Sequence, residues 1–363
     1  MLEQEKFMTA FYREKLSPPA VLTLAVTDAC NLRCAHCWVD AGPAAAATWV
    51  ATPAARRVIE EFSARGGTTL RLTGGEPLLH PDWLALLRIG ADAGLQLLLQ
   101  TNGMLLRDDH LRALQELEPA GLTIQISLDG ATAAAHDLVR GAGAYDQALQ
   151  GIGRLVDSGF AQDIALFFTE MRHNLHELPD LLRLADRLGV GSLSSGSLVV
   201  CGRARAEHGI APPDPEQYPP LLRRFAEDLR FRQLYARLGT VAALEWCSSA
   251  TSRHGCDLAK TPYLTAKGVL YPCLLCHAED YSVAGVFEKG LSAALLEAIP
   301  LWSALQAISQ RRAAAIPECR DCALSESCAG GCMGRAWGSF GAFMVAEDRC
   351  RQRRMVADWK EKS

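Results

Sequence analysis

Residues 21–40 read VLTLAVTDACNLRCAHCWVD. The first seven, Val21–Thr27, are a short apolar run with the composition of a strand, and Cys30, Cys34 and Cys37 follow almost at once. In a parallel sheet this spacing puts three thiolates on one loop at a strand's carboxyl end, where α/β folds carry their active sites. Three cysteines suit a cubane iron–sulfur cluster, because they bind three of its four irons and leave the fourth open to substrate or cofactor. The alternative is zinc, but structural zinc takes four ligands from paired CxxC or CxxH elements. His36 would then have to supply the fourth ligand from inside the same short loop.

Working outward, five further apolar segments repeat the pattern: Thr68–Thr73, Leu95–Thr101, Leu122–Leu128, Asp163–Thr169 and Gly191–Val199. Helix-like stretches alternate with them, at Thr52–Ala64, Pro81–Ala93, Asp108–Leu117, Tyr145–Ser158 and Leu175–Leu188, with Gly94, Gly159 and Gly189 just past three ends. Strand starts fall about 27 residues apart in three of the five intervals, which implies parallel strands joined by crossover helices. Six units are too few for a closed eight-stranded barrel. The expected fold class is therefore α/β, a partial (β/α)6 TIM-like barrel over residues 21–210, with residues 1–20 as an N-terminal extension. APPDPEQYPP (residues 211–220) opens a linker with a bridging helix, Leu221–Leu238, that runs to 245. Residues 246–350 are rich in cysteine and glycine with few regular runs, so metal would have to supply part of their stability. Residues 351–363 read as a charged helical tail.

The second strand ends in Gly74-Gly75-Glu76-Pro77. CxxxCxxC after the first strand joined to GGEP after the second resembles the radical S-adenosylmethionine (SAM) superfamily. The resemblance implies a [4Fe–4S] cluster on Cys30, Cys34 and Cys37, with the amino and carboxylate groups of SAM on the open iron. Cleavage of SAM to a 5′-deoxyadenosyl radical would follow. It also implies a SAM pocket: Gly74 and Gly75 for close backbone approach, Glu76 for the ammonium, and Thr101-Asn102 and Ser127 at later strand ends. Asp129 is either a polar contact there or a turn or capping residue, and Arg140 reaches the SAM carboxylate. His36 stands where the family usually has an aromatic beside the adenine.

The C-terminal cysteines run Cys256-x11-Gly268-x4-Cys273, Cys319-x2-Cys322-x5-Cys328-x3-Cys332, then Cys350. This spacing resembles the SPASM domain, a C-terminal cysteine-rich module that holds two auxiliary [4Fe–4S] clusters, three in all with the catalytic one. By position the resemblance gives the outer cluster Cys319, Cys322, Cys328 and Cys350, and the inner one Cys256, Cys273 and Cys332. The fourth inner ligand is Cys276, Cys247 or none. Cys201, at the end of the sixth strand, reads as a small packing residue rather than a ligand.

Composition narrows the function. Hydrophobic residues make up 49% and charged residues 21%, ordinary for a globular protein, and a net charge of −4 gives no electrostatic reason to bind nucleic acid or an anionic membrane. No apolar run approaches the length of a membrane span, the N-terminus lacks a signal-peptide core, and 13 clustered cysteines suit a reducing, cytoplasmic setting. Three functions fit. The first is a radical SAM oxidoreductase that modifies a peptide or protein side chain, the commonest role in the SPASM group. The second is the same chemistry on a small molecule such as a tetrapyrrole in haem biosynthesis. The third is a non-catalytic zinc-binding interaction module. An electron donor such as flavodoxin or ferredoxin is expected for the first two. Leu274, not the aspartate of anaerobic sulfatase maturases, follows Cys273, which argues against that subtype. Only about 20 residues precede the first strand, so leader recognition would fall to a separate leader-peptide-binding protein or another surface.

Overall fold

The computed structural model describes residues 2–43, 47–117, 121–206, 209–248 and 256–362. Six parallel strands form the centre: β1 (Val21–Ala25), β2 (Thr69–Thr73), β3 (Gln96–Thr101), β4 (Leu122–Ser127), β5 (Ile164–Glu170) and β6 (Ser192–Ser197). Leu24, Leu72, Leu99, Ile124 and Ile164 are register partners across five of them, one apolar row that the sheet turns toward its helices. The alternate residues, such as Thr123, Gln125 and Ser127 of β4, are half-buried on the other face. A fully packed barrel interior would be apolar on both faces of each strand. Here the inner face is polar, and that leaves room for a site.

Before β1 lies α1 (Leu2–Arg13), and the crossovers are α2 (Thr52–Ala64), α3 (Trp83–Asp92), α4 (Asp108–Gln115), the pair α5 (Ala133–Arg140) and α6 (Ala144–Asp157), and α7 (Leu178–Leu188). The short helix α5 is absent from the sequence reading, which ran from the fourth strand straight to Tyr145. Thr132 caps it, accepting from the Ala135 amide. The expected bridging helix is two, α8 (Tyr218–Glu227) and α9 (Leu229–Leu238). The break is at Asp228, whose extended backbone ends one helix while its carboxylate accepts the Phe231 amide at 2.9 Å and starts the next. A two-residue strand, β7 (Gly239–Thr240), then pairs with β6, and α10 (Ala242–Ser248) follows.

The cysteine-rich part is more regular than its composition suggests. A hairpin of β8 (Tyr263–Leu264) and β9 (Leu270–Tyr271) adds to the β1 edge, so the nine strands run β7-β6-β5-β4-β3-β2-β1-β8-β9 as one open sheet. After α11 (Val286–Lys289) comes α12 (Leu291–Ala315), a 25-residue helix that the sequence reading did not anticipate. It is the one helix among the described residues long and apolar enough to cross a membrane, a length the sequence reading found nowhere. Its apolar stripe is instead spent inside: Leu291, Ala294, Leu295, Ala298, Ile299 and Trp302 join the same core as the barrel strands. The Ser292 amide donates to Glu61 of α2 at 2.7 Å, which ties α12 to the barrel. The region thus shares the apolar core of the barrel. Short helices α13 (Pro317–Arg320) and α14 (Ser325–Cys328), then α15 (Met333–Phe340) and α16 (Cys350–Lys362), complete the chain.

Trp302 has no exposed surface, and its indole N–H donates to the Tyr281 carbonyl at 3.0 Å. Trp302→Ala is expected to destabilise the protein by about 3–5 kcal/mol in denaturant unfolding. A loss under about 1 kcal/mol would show that α12 is not part of the common core.

Candidate active site

The loop after β1 is built to hold its three cysteines in place. The Cys30 amide donates to Gly42 O at 2.7 Å and the Cys37 amide to Cys34 O at 3.2 Å. The sulfurs of Cys30 and Cys37 accept the amides of Leu32 and Ala41, each at 3.4 Å. All three thiols are free and half-buried. Burial pushes Cys30 up to about 12 and raises Cys34, each against amide or arginine donors. Three half-buried thiols on one loop, none in a disulfide, fit a bound cationic metal centre that would draw off their protons.

The GGEP segment pins this loop from the side. The amides of Gly75 and Glu76 donate to Thr27 O and Ala29 O at 2.8 and 2.7 Å. A Cβ on Gly74 would fall 2.5 Å from Thr27 O, and one on Gly75 would fall 2.1 Å from Ala29 O. The glycines' close approach is therefore to the chain's own backbone. Glu76 is 1% exposed. Its carboxylate accepts from the Leu78 amide (3.1 Å), the Thr101 hydroxyl (2.7 Å) and the Asn102 amide (2.8 Å). Asn102 also donates to Asn31 at 2.9 Å, which reaches back to the cysteine loop. All of these donors are neutral, and burial still raises Glu76 to about 7. The pocket would welcome a cation.

Asp129, just past β4, is fully buried and is not a helix cap. It accepts Nε of Arg140 at 2.6 Å and the Thr169 amide at 2.8 Å. Burial opposes its charge, but Arg140, His36 and the Thr169 amide hold it down at about 2. Arg140 is not a surface charge: it is 9% exposed, and its other nitrogens lie 3.9 Å from the Cys34 sulfur and 3.3 Å from His36 Nε2. Burial pulls His36 down to about 4, so it is neutral, and its Nδ1 is buried with no partner among the described residues. Ser127 ends β4 half-buried on the inner face.

Sequence reasoning missed Arg203. From the end of β6 it donates to Asp40 (3.0 Å), Cys34 O (2.7 Å) and Ala41 O (2.5 Å), while its own amide donates to Cys37 O at 2.9 Å. Gly202 makes this possible: its φ is +54°, and a Cβ there would lie 2.5 Å from the carbonyls of Cys37 and Trp38. The signal available was a glycine–arginine pair at a strand's carboxyl end, beside Cys201. Cys201 itself packs near Gly338 of α15.

In the C-terminal region Cys319, Cys322, Cys328 and Cys350 line one small, partly open cavity, together with Glu347, Arg353 and Arg354. Cys256, Cys273 and Cys276 share a second, buried apolar cluster with Leu258, Leu305 and Met333, and Cys332 caps α15 beside it. Burial raises the thiols of Cys256, Cys273 and Cys276, reinforced by their mutual repulsion. The side chain of Cys247 lies outside the described residues. A zinc ion would draw its thiolates to about 2.3 Å of one point. Among the described residues no three His, Cys, Asp or Glu converge that tightly. Trp38, next to Cys37, packs on His277, next to Cys276, with ring centroids 4.7 Å apart.

The Radical SAM superfamily profile matches residues 24–185. An AdoMet-dependent heme synthase of Methanosarcina barkeri is 35% identical over 201 residues, 55% of this chain and 56% of that protein. A second, from Nitratidesulfovibrio vulgaris, is 28% identical over 91% of this chain and 92% of its own length. Mycofactocin maturase MftC of Mycobacterium ulcerans is 33% identical over 49% of this chain and 47% of its own. The chain thus spans about half the length of the first and third, and nearly all of the second. Among solved structures, SuiB of Streptococcus suis bound to S-adenosylmethionine shares the fold over 95% of this chain and 80% of its own, with TM-score 0.74 and 16% identity. Native anSMEcpe with bound AdoMet shares it over 95% and 98%, with TM-score 0.73 and 13% identity. The fold is a radical SAM partial barrel with a cysteine-rich, SPASM-type C-terminal module. Residues 24–185 thus carry a radical SAM domain, and the relatives the chain resembles are synthases and maturases, so the reading as a non-catalytic zinc module falls.

Because the fold raises the Glu76 pKa from 4.5 to about 7, its contribution to stability is complete below about pH 4.5 and is lost as pH climbs through 7. Unfolding free energy is expected to fall by roughly 3 kcal/mol over that window from this group. Glu76→Gln should flatten the decline in denaturant titrations at pH 5 and 7.5. An unchanged slope would assign the decline to other groups.

Proposed function

We propose that this enzyme abstracts a hydrogen atom from a peptide or protein side chain and moves the resulting electron into its C-terminal module. The observation that carries the reading is the pairing of two arrangements in one sheet-linked body. Three free thiols are gathered beside a cation-seeking carboxylate, and further thiols line a cavity and a buried cluster in the C-terminal region. Cys30, Cys34 and Cys37 would hold the catalytic [4Fe–4S] group. When bound, that group and SAM supply a 5′-deoxyadenosyl radical.

The chain's own residues orient the cofactor. Glu76 takes the SAM ammonium, because its carboxylate meets only neutral donors and an added cation stabilises the anion. Thr101 and Asn102 hold that carboxylate still, and Gly74 and Gly75 fix its distance from the cysteine loop. Arg140, held by Asp129, offers its remaining N–H groups toward the SAM carboxylate and the Cys34 side of the site. Neutral His36 presents its ring for stacking, and Ser127 adds a polar group on the inner face. Cys319, Cys322, Cys328 and Cys350 would bind one auxiliary [4Fe–4S] group, and Cys256, Cys273, Cys332 and Cys276 the other. Cys276 is chosen because it is fully buried among the other inner thiols. A flavodoxin- or ferredoxin-like donor would supply the reducing electron.

A tetrapyrrole side chain is the second substrate reading. What favours it is coverage: the heme synthase of Nitratidesulfovibrio vulgaris aligns with 91% of this chain, whereas the MftC match covers 49%. Anaerobic incubation with SAM and reductant, followed by mass spectrometry of candidate peptides and of tetrapyrrole carboxylates, separates the two. Mass loss or cross-linking in a peptide supports the first reading, and change in the tetrapyrrole alone overturns it.

The reconstituted enzyme is expected to hold about 12 irons. Replacing Cys30, Cys34 and Cys37 with alanine should lower this to about eight and abolish 5′-deoxyadenosine formation, while the auxiliary signals persist in electron paramagnetic resonance. Continued 5′-deoxyadenosine formation in that variant would misplace the catalytic site.

A further inference from the structure

Arg312, near the end of α12, has no exposed surface. Its Nε donates to Phe343 O at 2.8 Å, Nη1 to Gly331 O at 2.5 Å and Nη2 to Val345 O at 2.7 Å. Every partner is a neutral carbonyl. The nearest acids are committed elsewhere: Glu347 pairs with Arg349 and Arg353, and Asp348 pairs with Arg335. Among the described residues no carboxylate lies within ion-pair distance of Arg312. A guanidinium keeps its proton in proteins, so this is a full positive charge in the interior. Such a charge, left without a counterion, is destabilising by several kcal/mol. The anion that belongs here is not a side-chain carboxylate.

The surroundings say what it is. The Cys328–Cys332 turn lies against the side chain, since a Cβ on Gly330 would come 3.2 Å from Arg312 Cβ and 3.5 Å from Cζ. The sulfurs of Cys332, Cys319 and Cys256 all act on the guanidinium electrostatically, and so does Glu347. Cys319 lines the outer cavity, whereas Cys256 belongs to the buried inner cluster. One turn earlier on the same helix, Ser309 accepts the Cys256 amide at 3.2 Å. The face of α12 carrying Ser309 and Arg312 therefore stands between the two sets of thiols.

We propose that Arg312 is the shared, permanent countercharge of the two auxiliary thiolate clusters, and that it raises both their reduction potentials. This rests on the auxiliary-cluster reading above. Net charge and donors near the sulfurs are among the levers that set such potentials. A positive charge favours the more reduced, more negative state of each cluster. It therefore makes both better electron acceptors, which an electron leaving a substrate radical requires. Arg312 is a positioning residue for charge and touches no substrate.

The test is potentiometric titration of the fully loaded enzyme, followed by electron paramagnetic resonance, with the catalytic cluster as internal reference. Arg312→Gln should lower the reduced-to-oxidised ratio of both auxiliary clusters at least tenfold at fixed poise, about 59 mV for a one-electron couple. Arg312→Lys keeps the charge but not three carbonyl bonds, and should stay near the parent values. Equal shifts in the Gln and Lys variants, or none in Gln, would overturn the proposal in favour of a purely structural arginine. Should the Gln variant fail to load, Glu347→Gln reads the same field with opposite sign. Removing that anion should raise both potentials, and unchanged or lower values would overturn the proposal. Iron near four in the unmodified enzyme would instead remove the auxiliary-cluster reading itself.

Discussion

A Cβ on Gly75 would sit 2.1 Å from the Ala29 carbonyl, and the rest of the site depends on that contact. It locks the turn after β2 against the loop after β1, so the cysteine loop and Glu76 are parts of one rigid corner. Arg203 closes the opposite side by taking the carbonyls of Cys34 and Ala41. The loop needs both clamps because three thiols would otherwise have no reason to stay together without metal. Thr101 and Asn102 extend the corner to the third strand, and the Asp129–Arg140 pair extends it to the fourth.

Buried charge is distributed in complementary fashion. In the barrel an anion, Glu76, is surrounded only by neutral donors, and its pKa is raised in consequence. In the C-terminal module a cation, Arg312, hydrogen-bonds only to neutral carbonyls. Asp129 and Arg140, by contrast, are paired with one another, which leaves only the far N–H groups of the arginine to face the cysteine loop. The incomplete groups are the ones that mark ligand sites, because a folded chain tolerates such isolated charges only where something else is meant to meet them.

Much of this was readable beforehand. Alternation of short apolar runs and helical stretches placed six strands to within two residues at either end, because glycines and polar turns separate the two kinds of segment. The CxxxCxxC and GGEP segments pointed to one site, and the structure brings them into hydrogen-bonding contact. What stayed hidden depended on distant partners. Arg203 looks like any surface arginine until β6 lies beside the cysteine loop. Asp228 breaks a helix through its own capping bond, which a periodic apolar pattern does not reveal. Helix α12 was obscured by Pro300 and by the glycine- and cysteine-rich segments around it, although its buried residues recur at helical spacing.

The hairpin β8–β9 joins the edge of β1, the strand that leads into Cys30, Cys34 and Cys37, with Thr23 opposite Tyr263. The two halves of the enzyme are thus not beads on a tether. A ladder of backbone bonds, reinforced by the Trp38–His277 packing, fixes the geometry between their cysteine sites. Modular exchange is constrained accordingly. A C-terminal region transplanted from a relative would need a matching first-strand edge on its new host, and the barrel left behind would expose an unpaired strand prone to intermolecular pairing. Lineages carrying this architecture should then have inherited both halves together, with the sheet edge between them as the unit of descent.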